Sequence, residues 1–400
     1  MQNVFKRFLV AIVSCLSIFE LRAAESFALS EPVFQTGVPN PTQDKPQSKL
    51  WYAHGRYWVW LPVQGGSTVL ERTSTGWREL RQLRTFLAEL PGQADVWAGA
   101  ESVRAVLVGQ DRLAVAELRF DVAKDTYQPG SVRHQFALPP LASDGDVMET
   151  ATIARDSRGH WWVTYDRDQK VFVVNSTDPA GQVWSVPNVI GSNTGRDDIS
   201  AVFALSDRIG VLWSDQISDG VYFREHLDFQ KPEHWEGVIV VEKGGNTADD
   251  HINGIVAADG TLFVATKNSV DQIGAAQQVL RIRHRDGTWE NRPYALLQEK
   301  LGPSRPIVLL TGPSQDLFLL HTNYDKRDSD GRKDFIAGIG TTRQALKIDG
   351  PDRRILSAEK PLNNVTGMKK AFSPNVEVVV LASDSKGGVY EAVVPSLVDQ

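Results

Sequence analysis

The chain has 400 residues, with 43 Lys and Arg against 49 Asp and Glu, a net charge of −6, and one cysteine. This balance argues against nucleic acid or an anionic membrane surface as a partner, although a local basic patch could still hold an anionic polysaccharide. A single cysteine allows no intramolecular disulfide, so stability has to come from burial.

The first residues read as an export leader. Lys6 and Arg7 precede an apolar run from Phe8 to Phe19, and the small residues Ala23 and Ala24 follow. The run is too short to span a bilayer, which predicts a signal peptide over 1–24, with Ala28 as a second cleavage position. A lipoprotein reading competes, because Ile12-Val13-Ser14-Cys15 has the shape of a lipobox. The expected address is periplasmic or extracellular, with no membrane span. Residues 25–48 form a leading segment. No linker or composition shift divides the chain after residue 50, so 49–400 read as one domain, expected to be monomeric.

From Lys49 onward a pattern returns about every fifty residues: a polar start, a short apolar strand, a turn and a second strand. The starts are Lys49, Asp95, Asp146, Asp198, Asp250, Arg305 and Asn363. The second strands are read at 57–61, 113–118, 161–165, 209–213, 262–266, 317–321 and 378–381. Helical periodicity is weak and confined to Glu79–Glu89. Strand-filled units of this period predict an all-β chain, a seven-bladed β-propeller of four-stranded antiparallel blades, with six blades as the alternative. The last unit holds three strands, and Glu31–Gly37 is the expected closing strand, since an open ring would expose a sheet edge.

Asp178, Gly181 and Trp184, preceded by Ser176, look like a degenerate Asp-box hairpin, and Asp286-Gly287-Thr288-Trp289 like a shortened one. Their expected role is to shape turns. Trp51, Trp58, Trp60, Trp97, Trp161, Trp162 and Trp213 could stack on sugar rings, but the alternation in Trp58-Val59-Trp60 favours packing between blades. Asp325 to Gly331 lacks the spacing of a calcium loop and reads as a solvated turn.

The unit starts carry the chemistry: Asp95, Asp146 with Glu149, Asp197 with Asp198, Asp249 and Asp250 with His251 and Asn253, Arg305, and Asn363 with Asn364. In a propeller these would gather at the channel rim. Each Asp could cap a local turn. Several carboxylates, Asp198 and Asp250 among them, could share a Ca²⁺. Alternatively the group is an active site, with His251 as proton acceptor, Arg305 holding an acidic substrate group and Asp250 as acid, base or orienter.

Lys-Leu-Trp-Tyr at 49–52, Asp-Asp-Ile-Ser at 197–200, Asp-Asp-His-Ile-Asn at 249–253 and Asn-Asn-Val-Thr at 363–366 resemble a group of exported bacterial propellers related to the sialidase and Asp-box (BNR-like) superfamily. The resemblance implies the fold and no particular reaction. The arginine triad and tyrosine nucleophile of sialidases have no match here. Propeller polysaccharide lyases use His, Tyr and Arg, for which His251, Tyr165 and Arg305 are the nearest set by type. The leading expectation is a binder of a glycan or cell-envelope polysaccharide at the channel mouth. A lyase or glycoside hydrolase using the same site, or a protein-interaction scaffold, is the alternative.

Overall fold

The computed structural model describes residues 29–394 except 44, 110, 143–144, 326–333 and 371–375. The predicted leader with Cys15, and most of the turn after Asp325, lie outside the described residues. Seven four-stranded antiparallel sheets make up the fold. Their inner strands, taken as blades I to VII, are Leu50–Ala53, Gln93–Ala98, Ala151–Arg155, Ser200–Ala204, Ile252–Val256, Leu301–Thr311 and Asn363–Thr366. Among the described residues helix is limited to a short turn at Arg81–Leu83 and Arg84–Leu87, within the weak candidate read from the sequence. No helix among the described residues is long and apolar enough to cross a membrane.

Strand alternation gives each blade two apolar faces, and each face is buried against the neighbouring blade. The buried clusters accordingly straddle blade boundaries, as Trp58, Trp60 and Val69 of blade I do with Ala94, Leu107 and Leu118 of blade II. Trp51, Trp58, Trp60, Trp161, Trp162 and Trp213 are each no more than 4% exposed, so they fill blade interfaces and are closed to sugars. Only one second strand is displaced from its expected place. In blade II it is Ser102–Gly109, and 113–118 falls in the third strand, Arg112–Asp121. A tight hairpin, in which the Gly99 amide donates to the Ser102 carbonyl, starts that second strand sooner than the expected turn.

The ring closes as the sequence predicts. Phe34–Gln35 is the fourth strand of blade VII, with Phe34 opposite Val389 and Gln35 opposite Gly388. The chain then crosses blade VII toward the axis, the Asn40 amide donating to the Asp384 carbonyl at 3.0 Å and the Thr42 amide to Ser383 Oγ at 3.2 Å. Gly387 makes room for this strap: its φ is +88°, and a Cβ there would lie 2.8 Å from the Val38 carbonyl oxygen.

Side chains of the inner strands latch the blades to one another around the axis. The Asp95 carboxylate accepts the Ile153 amide of blade III at 2.8 Å, Thr152 Oγ1 the Val202 amide of blade IV at 2.8 Å, and Asn253 Oδ1 the Val308 amide of blade VI at 3.2 Å. Thr366 Oγ1 accepts the Lys49 amide across the closing junction at 3.2 Å. These bonds satisfy backbone donors that the inner strands would otherwise bury unpaired.

Candidate functional site

The loops entering blades III, IV and V place Glu149, Asp197 and Asp250 at one end of the channel, with a carboxylate oxygen of each within 4.8 Å of the others. Three carboxylates this close repel one another unless a cation joins them. Here the cation is Lys45, which the strap carries over the channel. Its ammonium donates to Glu149 at 3.1 Å and to Asp250. Burial opposes that charge, but Asp250 and Glu149 outweigh it and hold the lysine well above its usual range. The strap is fixed in turn by Asn253 Nδ2, which donates to the Lys45 carbonyl at 3.3 Å, and by Gln47 Nε2, which donates to the Ala151 carbonyl at 3.0 Å.

Further contacts lie behind Asp250. His251 Nδ1 meets both Asp249 and Asp250, and its Nε2 lies 3.3 Å from Ser304 Oγ of blade VI. Asp249 also takes the Lys267 ammonium and the Ser269 hydroxyl, the latter at 2.7 Å. Burial works against the Asp250 charge, yet the bond to His251 and the charges of His251 and Lys45 hold its carboxyl well below the usual carboxylate range. With both nitrogens engaged and 5% of its surface exposed, His251 is a strut between blades V and VI and has no ring nitrogen turned to solvent.

Asp197 behaves in the opposite way. It is exposed and has no hydrogen-bond partner among the described residues. Partial desolvation of its carboxyl beside the rim and repulsion from Asp250 push its pKa up to about 6. A carboxyl whose folded pKa exceeds its unfolded one destabilises the fold when charged. The penalty is absent below pH ~4 and fully present above pH 6. Asp197→Asn is therefore expected to raise the melting temperature at neutral pH and to match wild type near pH ~4, as thermal unfolding at the two pH values would read. Equal melting at neutral pH would contradict the repulsion.

The other residues read from the sequence are divided between this mouth and the scaffold. Asp95, fully buried, accepts the amides of Ser48 and Ile153 and the Lys369 ammonium. Asp146 accepts the Gln169 amide at 2.8 Å, which ties its loop to the hairpin between the second and third strands of blade III. Asp198 is 3% exposed and turns inward to the amides of Gly195 and Gln216, so the carboxylates that converge with Asp250 are Glu149 and Asp197. Arg305, at a φ of +52° in a bulge of its strand, lies 5.1 Å over the Tyr324 ring, whose hydroxyl donates to Asn363 Oδ1 at 3.3 Å. Asn364 occupies the corresponding bulge in blade VII, with a φ of +47°. Tyr165 is fully buried and stacks on Phe172. The Asp178 carboxylate accepts the amides of Gln182 and Val183, a turn-shaping role.

Sequence reasoning missed Lys45, Lys267 and Asp166. The first lies in the strap, outside the repeat. Asp166 had a signal, a carboxylate in an otherwise apolar second strand. Its burial and the nearby Glu149 push its carboxyl well above the usual range, and Thr150 Oγ1 lies 3.2 Å away.

No family model and no curated protein matches this chain. Among solved structures it is similar to polysaccharide lyase Uly1, at 9% identity over 87% of this chain and 90% of that one, with a TM-score of 0.45. A protein of unknown function from Dyadobacter fermentans DSM 18053 is similar at 10% identity over 92% and 97% of the two chains, also with a TM-score of 0.45. An exo-1,5-alpha-L-arabinanase from a bovine ruminal metagenomic library follows at 12% identity over 80% and 98%, with a TM-score of 0.36. Likeness at this level carries no argument about activity.

Proposed function

We propose that this protein is an exported propeller that binds a glycan of the cell envelope at the acidic mouth of its channel. The observation that carries the reading is the convergence of Glu149, Asp197 and Asp250 at one end of the channel, with Asp197 exposed and Glu149 partly so. Carboxylates are strong acceptors for the paired hydroxyls or ammonium groups of a sugar. Asp197 keeps its charge at neutral pH against repulsion, a cost in stability of the kind binding sites carry.

The same charge selects the ligand class. Neutral and amine-bearing sugars suit the mouth, whereas a uronate would add a further negative charge. Binding without proton abstraction is favoured by His251, whose two nitrogens are already engaged.

A glycan array with wild type, Asp197→Asn, Glu149→Gln and the remote turn variant Asp286→Asn tests this. Wild type and Asp286→Asn are expected to bind neutral or amino glycans, with at least a tenfold loss in the other two. Equal binding by all four proteins would move the site elsewhere, and unsaturated products from a uronate polymer would replace binding with lyase chemistry.

A further inference from the structure

The opposite end of the channel is built differently. There the C-terminal ends of the inner strands of blades II to V surround a cavity of about 220 Å³. Trp97, Ile153, Val202, Phe203 and Ile255 make its wall apolar. The segment leaving the inner strand of blade VII adds Lys369 and Lys370, and no acidic residue lines the cavity.

The two lysines have different surroundings. Lys369 reaches the axis, where its ammonium meets the buried Asp95 carboxylate and donates to the Ile153 carbonyl at 2.8 Å. Its charge is balanced by Asp95, which is not part of the cavity lining. Lys370 lies 4.1 Å over the Trp97 ring and donates to the Ala98 carbonyl. Among the described residues it has no carboxylate partner. Farther in, Gln47, Ser48 and Lys49 of the strap take up the axis, with Lys49 donating to Gln47 Oε1 at 2.9 Å and the Ala94 carbonyl at 3.1 Å. The strap thus separates this end from the acidic mouth.

We infer that this end is a second, independent binding site, for a small carboxylate with a flat apolar body. Apolar walls take up the body, and a cation held by a carbonyl and a π face, with ammonium hydrogens left over, takes up the anion in a charge-assisted hydrogen bond. The volume is below the usual range for drug-sized ligands, which limits the body to about one ring. Of the seven tryptophans considered for sugar stacking, Trp97 is the one that stays partly exposed, placed edge-on to Trp161 at 4.9 Å.

The test is a calorimetric titration of the full chain with benzoate and with uncharged benzyl alcohol. Lys370→Met removes the cation, and Ala204→Trp fills the cavity without changing charge. Benzoate is expected to bind wild type at one site, at least tenfold more weakly to Lys370→Met, and not measurably to Ala204→Trp. Benzyl alcohol is expected to bind at least tenfold more weakly than benzoate. Both variants should keep wild-type melting and wild-type behaviour on the glycan array, which reads the other mouth. Absence of benzoate binding to wild type, equal affinity in Lys370→Met, or equal affinity for benzyl alcohol would each overturn the assignment.

Discussion

Removing residues 25–48 is expected to lower the melting temperature more than any single substitution in the channel. The deletion takes away the fourth strand of blade VII and with it the Val33 amide bond to the Val389 carbonyl at 2.7 Å and that of Thr36 to Gly387 at 3.0 Å. It also removes the Asn40 and Thr42 contacts to blade VII, the Gln47 bond to Ala151 and the Ser48 bond to Asp95. At about 1 kcal/mol for each net hydrogen bond the loss is on the order of 5 kcal/mol, a large share of a typical domain's stability. The exposed edge would also invite pairing between chains. Thermal unfolding with light scattering is the measurement, and melting like that of the full chain would refute closure by the strap.

The second large effect concerns Lys45. Its side chain is 8% exposed and that of Asp250 13%, so Lys45→Met leaves the nearly buried Asp250 with His251 as its remaining partner while Glu149 and Asp197 still crowd it. Breaking one side of such a pair costs about 3 kcal/mol. Because the repulsion comes from clustered oxygen ligands, millimolar Ca²⁺ is expected to restore part of the loss in the variant. Wild type, whose ammonium already joins the carboxylates, should melt alike with calcium or a chelator. A variant as stable as wild type would deny Lys45 this role, and a chelator-sensitive wild type would give the mouth to a metal. Lys45→Arg provides the control, keeping the charge and most of the stability.

The architecture was legible because repetition is a property of sequence itself: each polar start precedes a strand whatever fills the blade. Closure was legible too, from a last unit one strand short and a spare strand near Glu31–Gly37. The site was only partly so. Residues at equivalent starts can point along the axis, into the next blade or back onto a hairpin of their own blade, and residue type does not distinguish these. Asp95 and Asn253 latch neighbouring blades, Asp146 and Asp198 hold hairpins of their own blades, and Glu149, Asp197 and Asp250 meet. Lys45 was invisible for a different reason. It belongs to no repeat, and its partners are 104 and 205 residues away.

The closing strand also sets the order in which the molecule can be completed. Thr36 Oγ1 donates to the Gly387 carbonyl across 351 positions of sequence. During synthesis Phe34–Gln35 is made before all seven inner strands, and its partner Gly388–Val394 after them. Six blades can therefore form from local hairpins before Phe34–Gln35 has its partner, and until blade VII exists the strap can hold to Asp95, Ala151 and Asn253 of blades II, III and V. Such late, nonlocal pairing is slow. A ring lacking that last pairing is open at its edge, so closure is the step that removes the exposed strand.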